Sequence, residues 1–149
     1  MNLLLPRDIR ARLKAELRRA GEREVGGFLM AEQIEPGTFR VAEISVDHGA
    51  GTAVHFRRRI EEHREELQRF FAKTGHDFSR YNYLGEWHSH PRFALHPSAD
   101  DVSVMEDLVR DPTIGFAVLM IVRLDWYCWL RVSAHVFSDD RGYMLAKVE

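Results

Sequence analysis

The chain has 149 residues, 45% of them hydrophobic and 30% charged, and a formal net charge of -2. That is the composition of one soluble globular domain large enough to bury a core, and the near-neutral charge excludes nucleic-acid binding by bulk electrostatics. A single cysteine, Cys128, excludes an intrachain disulfide and a thiolate zinc cage, and the longest apolar run, Ile114 to Val122, is too short for a membrane-spanning helix.

Met1-Asn2-Leu3-Leu4-Leu5-Pro6 carries three leucines but no charged n-region, so it does not read as a signal peptide, and a cytoplasmic location is expected. From Pro6 to about Ala20, the residues Ile9, Leu13 and Leu17 recur four apart, predicting a helix closed by Gly21. Val25 to Ala31 reads as a buried strand in which Gly26-Gly27 implies close backbone approach. Thr38 to Val46 reads as a second strand after a Glu35-Pro36-Gly37 turn. His48 to Thr52 is glycine-rich and reads as a loop, with a short strand around Ala53 to Phe56. A helix from Arg59 to Lys73 turns Ile60, Leu67, Phe70 and Phe71 inward, and Gly75 ends it. Arg57-Arg58-Arg59 reads as a solvated face.

Tyr81 to Ser89 is predicted as a strand, Pro91 to Pro97 as a loop, and Ser98 to Arg110 as a helix. That helix carries Val102, Met105 and Val109 on one stripe and stops at Asp111-Pro112. Ile114 to Leu124, Trp126 to Phe137 and Gly142 to Val148 read as strands, the first two forming a hairpin that turns at Leu124-Asp125. Without regular βαβ alternation, this order predicts a single α+β domain over residues 1–149, with a mixed, largely antiparallel sheet flanked by helices.

The chemistry concentrates in Gly85-Glu86-Trp87-His88-Ser89-His90-Pro91. Alternate side chains of a strand share a face, so His88 and His90 project together. With Asp101 a short loop further on, they form three legs of a tetrahedral zinc site whose open fourth corner marks a catalytic metal. The other histidines, His48, His55, His63, His76, His96 and His135, read as surface or satisfied core residues. Ser98-Ala99-Asp100-Asp101 also has a structural explanation, because a serine followed three residues later by an acid resembles a capping box. The two roles are compatible, since a helix start fixes where Asp101 points. Glu86 shares the face of His88 and reads as a supporting or flanking group.

His88-Ser89-His90-Pro91, the stretch to Pro97, then Ser98, two residues and Asp101 together resemble the signature of the JAMM (MPN-plus, JAB-type) zinc metalloproteases. Glu24-Val25-Gly26-Gly27-Phe28-Leu29 resembles that family's first block, and the match runs in order along nearly the whole chain. The resemblance implies an MPN/JAB-like fold of cytidine-deaminase-like layout and one Zn²⁺ per chain, held by His88, His90 and Asp101 with a water. It implies Glu24 as general base and Ser98 as a donor to the oxyanion. The residues alone separate Glu24 neither from Glu22 and Glu32 nor from Glu86, and leave Asp100 open as a ligand; the family spacing selects Glu24 and Asp101.

The resemblance further implies an isopeptidase or peptidase acting after the C-terminal tail of a ubiquitin-like protein. It is closest to stand-alone bacterial members, some accompanied by E1-like and E2-like proteins, including in anti-phage defence. A tail adding as a strand to a sheet edge would lie between the His48-to-Phe56 segment and the Pro91-to-Pro97 loop. There Gly49, Gly51 and Thr52 permit close approach, while Trp87, Phe93 and Leu95 either line the cleft or pack into the core. The alternatives are a JAMM peptidase of a sulfur-carrier pathway and a metal-free MPN scaffold, though such scaffolds usually lack ligands that this chain retains. A nucleic-acid deaminase would need zinc-binding cysteines absent here, and neither nucleic acid nor membrane is an expected partner.

Overall fold

Leu3 and its neighbours form a strand near one edge of the sheet: β1 (Asn2–Leu4) runs parallel to the strands on either side of it, and Leu3 is fully buried. This strand is absent from the sequence reading because three residues cannot display a period of two. The computed structural model describes residues 1–47, 60–126, 128–138 and 142–149, with only the backbone of 60–63. The predicted loop at His48 to Thr52 with Gly51, the short strand at Ala53 to Phe56 and the triple arginine lie outside those residues.

The remaining elements are α1 (Arg7–Ala20), β2 (Gly26–Glu35), β3 (Thr38–Ile44), α2 (Ile60–Lys73), β4 (Tyr81–Ser89), α3 (Ala99–Val109), β5 (Phe116–Asp125), β6 (Trp129–Ser138), β7 (Gly142–Leu145) and β8 (Lys147–Val148). The strands make one mixed sheet in the order β7-β6-β5-β4-β2-β3-β1-β8. β4 and β5 are parallel, while β2–β3, β2–β4, β5–β6 and β6–β7 are antiparallel. An α+β domain with a mixed sheet is therefore what the chain forms.

Two boundaries differ from expectation. Asp125 still pairs with Trp129, so β5 continues through Asp125 and the chain does not turn at Leu124-Asp125; Trp126, the next residue, takes a φ of 52°. The predicted last strand breaks at Ala146, because β7 pairs with β6 whereas β8 crosses to β1.

Alternation along β5 explains its uninterrupted apolar run. Val118, Met120 and Val122 pack with Ile9, Leu13 and Leu17 of α1 on one face. Ala117, Leu119 and Ile121 pack with Met105 and Val109 of α3 on the other. A strand covered on both faces reads as continuously hydrophobic. α2 sets Phe70 against Tyr81 of β4, their ring centroids 6.2 Å apart. A register shift at Leu29/Met30 and the φ of 149° at Gly85 mark a bulge in the β2–β4 pairing. A Cβ at Gly85 would lie 2.0 Å from the Val118 carbonyl oxygen, so only glycine fits. No helix among the described residues is long and apolar enough to cross a membrane.

Candidate metal centre

The two histidines stand at the C-terminal end of β4, and the register decides which way they face. Trp87 pairs with Met120 and His88 with Ile121, so the tryptophan joins the α1 core while His88 faces the α3 side. β2 brings the other half of the site. Gly26 pairs with His88, and a Cβ there would sit 2.9 Å from His88 Cβ and 2.6 Å from the Trp87 carbonyl oxygen. Beyond the ladder, the Ser89 amide donates to the Val25 carbonyl at 2.8 Å, and the Val25 amide donates to Ser89 Oγ at 3.0 Å. Fully buried Ser89 thereby ties Glu24 alongside His90. Sequence reasoning missed this serine, although its place between two outward-facing histidines already points it into the protein.

Asp101 arrives from the first turn of α3 as half of a capping box. Ser98 N–H donates to Asp101 Oδ2 at 2.7 Å, and Asp101 N–H donates to Ser98 Oγ at 3.1 Å. The same Oδ2 lies 3.5 Å from His88 Nε2 and 3.7 Å from His90 Nε2, and the two Nε2 atoms are 3.0 Å apart. Capping and convergence on the histidines are thus carried by one oxygen.

That triangle suits a metal. A tetrahedral ion at about 2.0–2.2 Å from each ligand spaces its ligand atoms about 3.3–3.6 Å apart, and the three observed separations bracket that spacing. His90 Nδ1–H donates to the Ala94 carbonyl at 2.8 Å, which holds the ring with Nε2 turned toward Asp101 and His88, the orientation a ligating imidazole needs. Around it the field favours a positive charge. The hydrogen bond to Asp101 raises the His90 pKa against the opposing effect of burial, with Ala94 and the Glu24 carboxylate adding to it. Burial pushes the Asp101 pKa up, yet hydrogen bonds from His88 and His90 overcome it and hold the carboxyl well below its usual range. Among the described residues, these three are the one cluster of His, Cys, Asp or Glu able to hold a metal ion. Asp100 lines the cleft but does not converge with them.

The triangle opens into a cleft of about 590 Å³ whose wall includes Glu24, Glu86, Phe93, His96 and Ser98. The competing glutamates separate by their partners. Glu32 is buried between Arg40 and Arg80 at the far part of β2, and Glu22 pairs with Arg92 on the surface. Glu86 reaches the cleft but hydrogen-bonds the Tyr83 hydroxyl, whose pKa burial and that carboxylate both raise. Glu24 is left half-buried at the cleft wall. Of the residues expected to line a substrate groove, Phe93 is 65% exposed with its ring centroid 6.4 Å from that of His90. Trp87 also borders the cleft, yet its side chain has no exposed surface and its Nε1–H donates to the Ser45 carbonyl at 2.9 Å. Leu95 is a correction, packing against the α3 core instead of lining the cleft. His76 and His96 are exposed, whereas His135 is buried, and its Nδ1 has no hydrogen-bond partner among the described residues.

Solved structures that share the fold include two bacterial proteins. A protein of Desulfitobacterium hafniense is 17% identical with a TM-score of 0.63, the match covering 99% of this chain and 91% of that one. A protein of Salinibacter ruber is 19% identical with a TM-score of 0.59, covering 97% and 88% respectively. No curated protein gives a significant match. The family model for prokaryotic homologs of the JAB domain matches residues 6–133, a span that contains Glu24, both histidines, Ser98 and Asp101. The chain belongs to that JAB family.

Proposed function

We propose that this chain is a zinc-dependent peptidase or isopeptidase that cuts after the C-terminal tail of a ubiquitin-like protein, on a JAB domain of MPN type. The observation that carries the reading is the triangle of His88 Nε2, His90 Nε2 and Asp101 Oδ2, opening onto a cleft walled by Glu24. Zinc held there supplies a Lewis acid that acidifies water and polarises a carbonyl. Glu24, on the wall of the same cleft, takes the proton of the attacking water and returns it to the leaving amine. Ser98 Oγ already accepts the Asp101 amide, so its own O–H is free to donate to the carbonyl oxygen as charge develops there. Phe93 supplies an exposed apolar surface beside the reacting bond. A metal-free scaffold would have no use for three converging ligand atoms together with a His90 ring held so that Nε2 faces the other two.

The test is incubation of the purified chain with a ubiquitin-like protein carrying a C-terminal peptide extension, with added zinc or with a chelator, followed by mass spectrometry. The expected result is loss of the extension with zinc and an intact substrate with chelator. Cleavage that persists in full under chelation would rule out a metal-dependent reaction.

A further inference from the structure

Three successive carbonyls in the loop after His90 each accept a hydrogen bond from a different element. Phe93 O accepts from Arg123 Nη1 at 2.9 Å, Ala94 O from His90 Nδ1 at 2.8 Å, and Leu95 O from the Ser133 hydroxyl at 2.6 Å. Among the described residues, no backbone–backbone hydrogen bond involves residues 91–97, so side-chain donors set this loop's shape. The flanking donors come from the two strands of the β5–β6 hairpin and are themselves held. Arg123 Nε bonds Asp125 Oδ1 at 2.6 Å. Ser133 has committed its proton to Leu95, so its oxygen accepts from His135 Nε2–H, 3.1 Å away. Burial lowers the His135 pKa, with the Leu95 carbonyl opposing it and His96 adding to it, which keeps that imidazole neutral.

We infer that Arg123 and Ser133 are positioning residues for His90: by clamping the carbonyls on either side of Ala94, they hold the acceptor that fixes the His90 tautomer and aims Nε2 at the metal. This rests on the reading of the site as a metal centre, not on the identity of the substrate. Neither residue touches the ligand triangle. Partners that orient a ligating histidine typically contribute about 10–100-fold to metal affinity.

The experiment compares zinc affinity, by competition with a chromophoric chelator, for the unsubstituted chain, Ser133→Ala, Ser133→Thr and Arg123→Met. Imidazole ¹⁵N NMR of the metal-free proteins reads the His90 tautomer separately. The expected result is a single Nδ1–H tautomer in the unsubstituted chain. Ser133→Ala and Arg123→Met should bind zinc about 10–100-fold more weakly with a mixed His90 tautomer, while Ser133→Thr, which keeps the hydroxyl, retains both properties. Unchanged affinity and tautomer in Ser133→Ala and Arg123→Met would overturn the inference, as would an equal loss in Ser133→Thr and Ser133→Ala. Should Ser133→Ala not fold, Arg123→Met on the half-exposed side decides. An unsubstituted chain that binds no zinc sinks this inference and the metal centre together; one that binds zinc but cleaves nothing sinks only the peptidase reading.

Discussion

Glu24→Gln is expected to keep a full equivalent of zinc and to lose cleavage by about 10²–10⁴-fold, the usual contribution of a general base. The amide preserves the size of the side chain but cannot accept a proton. The change leaves the ligand triangle untouched, and the pair of hydrogen bonds between Val25 and Ser89 that sets this segment beside His90 uses backbone and serine atoms only. Zinc per chain by elemental mass spectrometry, measured on the same preparation as turnover, separates loss of the base from loss of the site. Full activity would move the role elsewhere. Glu86 is then the remaining glutamate on the cleft wall, since Glu32 is locked between two arginines and Glu22 pairs with Arg92.

Asp101→Ala should lose zinc more severely than the about 10–100-fold seen when an outer partner of a ligand is removed, because a ligand itself disappears. It should also lower the melting temperature of the metal-free protein, since the Ser98 amide loses its acceptor; a helix cap is worth about 1 kcal/mol, or about 2–4 °C for a chain of this size. Asp101→Asn splits the two effects. It retains an oxygen for the Ser98 amide but brings no negative charge to the histidines, so its melting temperature should lie nearer the original while zinc affinity falls. Equal zinc affinity in all three proteins would remove Asp101 from the ligand set.

What the sequence made legible was local. The four-residue spacing of Ile9, Leu13 and Leu17 predicts α1 and its buried stripe, and the serine-to-aspartate interval predicts the capping box. Strand alternation predicts the shared face of His88 and His90. It also contained the place of the Trp87 side chain, one residue before His88 and three before His90 and therefore on the opposite face. What escaped was long-range. β1 depends on partners about 36 and 145 positions further along, Thr38–Arg40 and Lys147–Val148, and the break at Ala146 exists because β7 and β8 serve opposite edges of one sheet. Ser89 and the Arg123 and Ser133 clamps acquire their roles only through residues 30 or more positions away, a separation no local pattern encodes.

The most direct measurement is zinc-edge anomalous diffraction from crystals of the unsubstituted chain grown with zinc. The account predicts one strong peak per chain, about 2.0–2.2 Å from His88 Nε2, His90 Nε2 and Asp101 Oδ2, on the floor of the cleft that Glu24 borders. A peak held by other residues, or no peak with the two imidazoles turned away from each other, would contradict it.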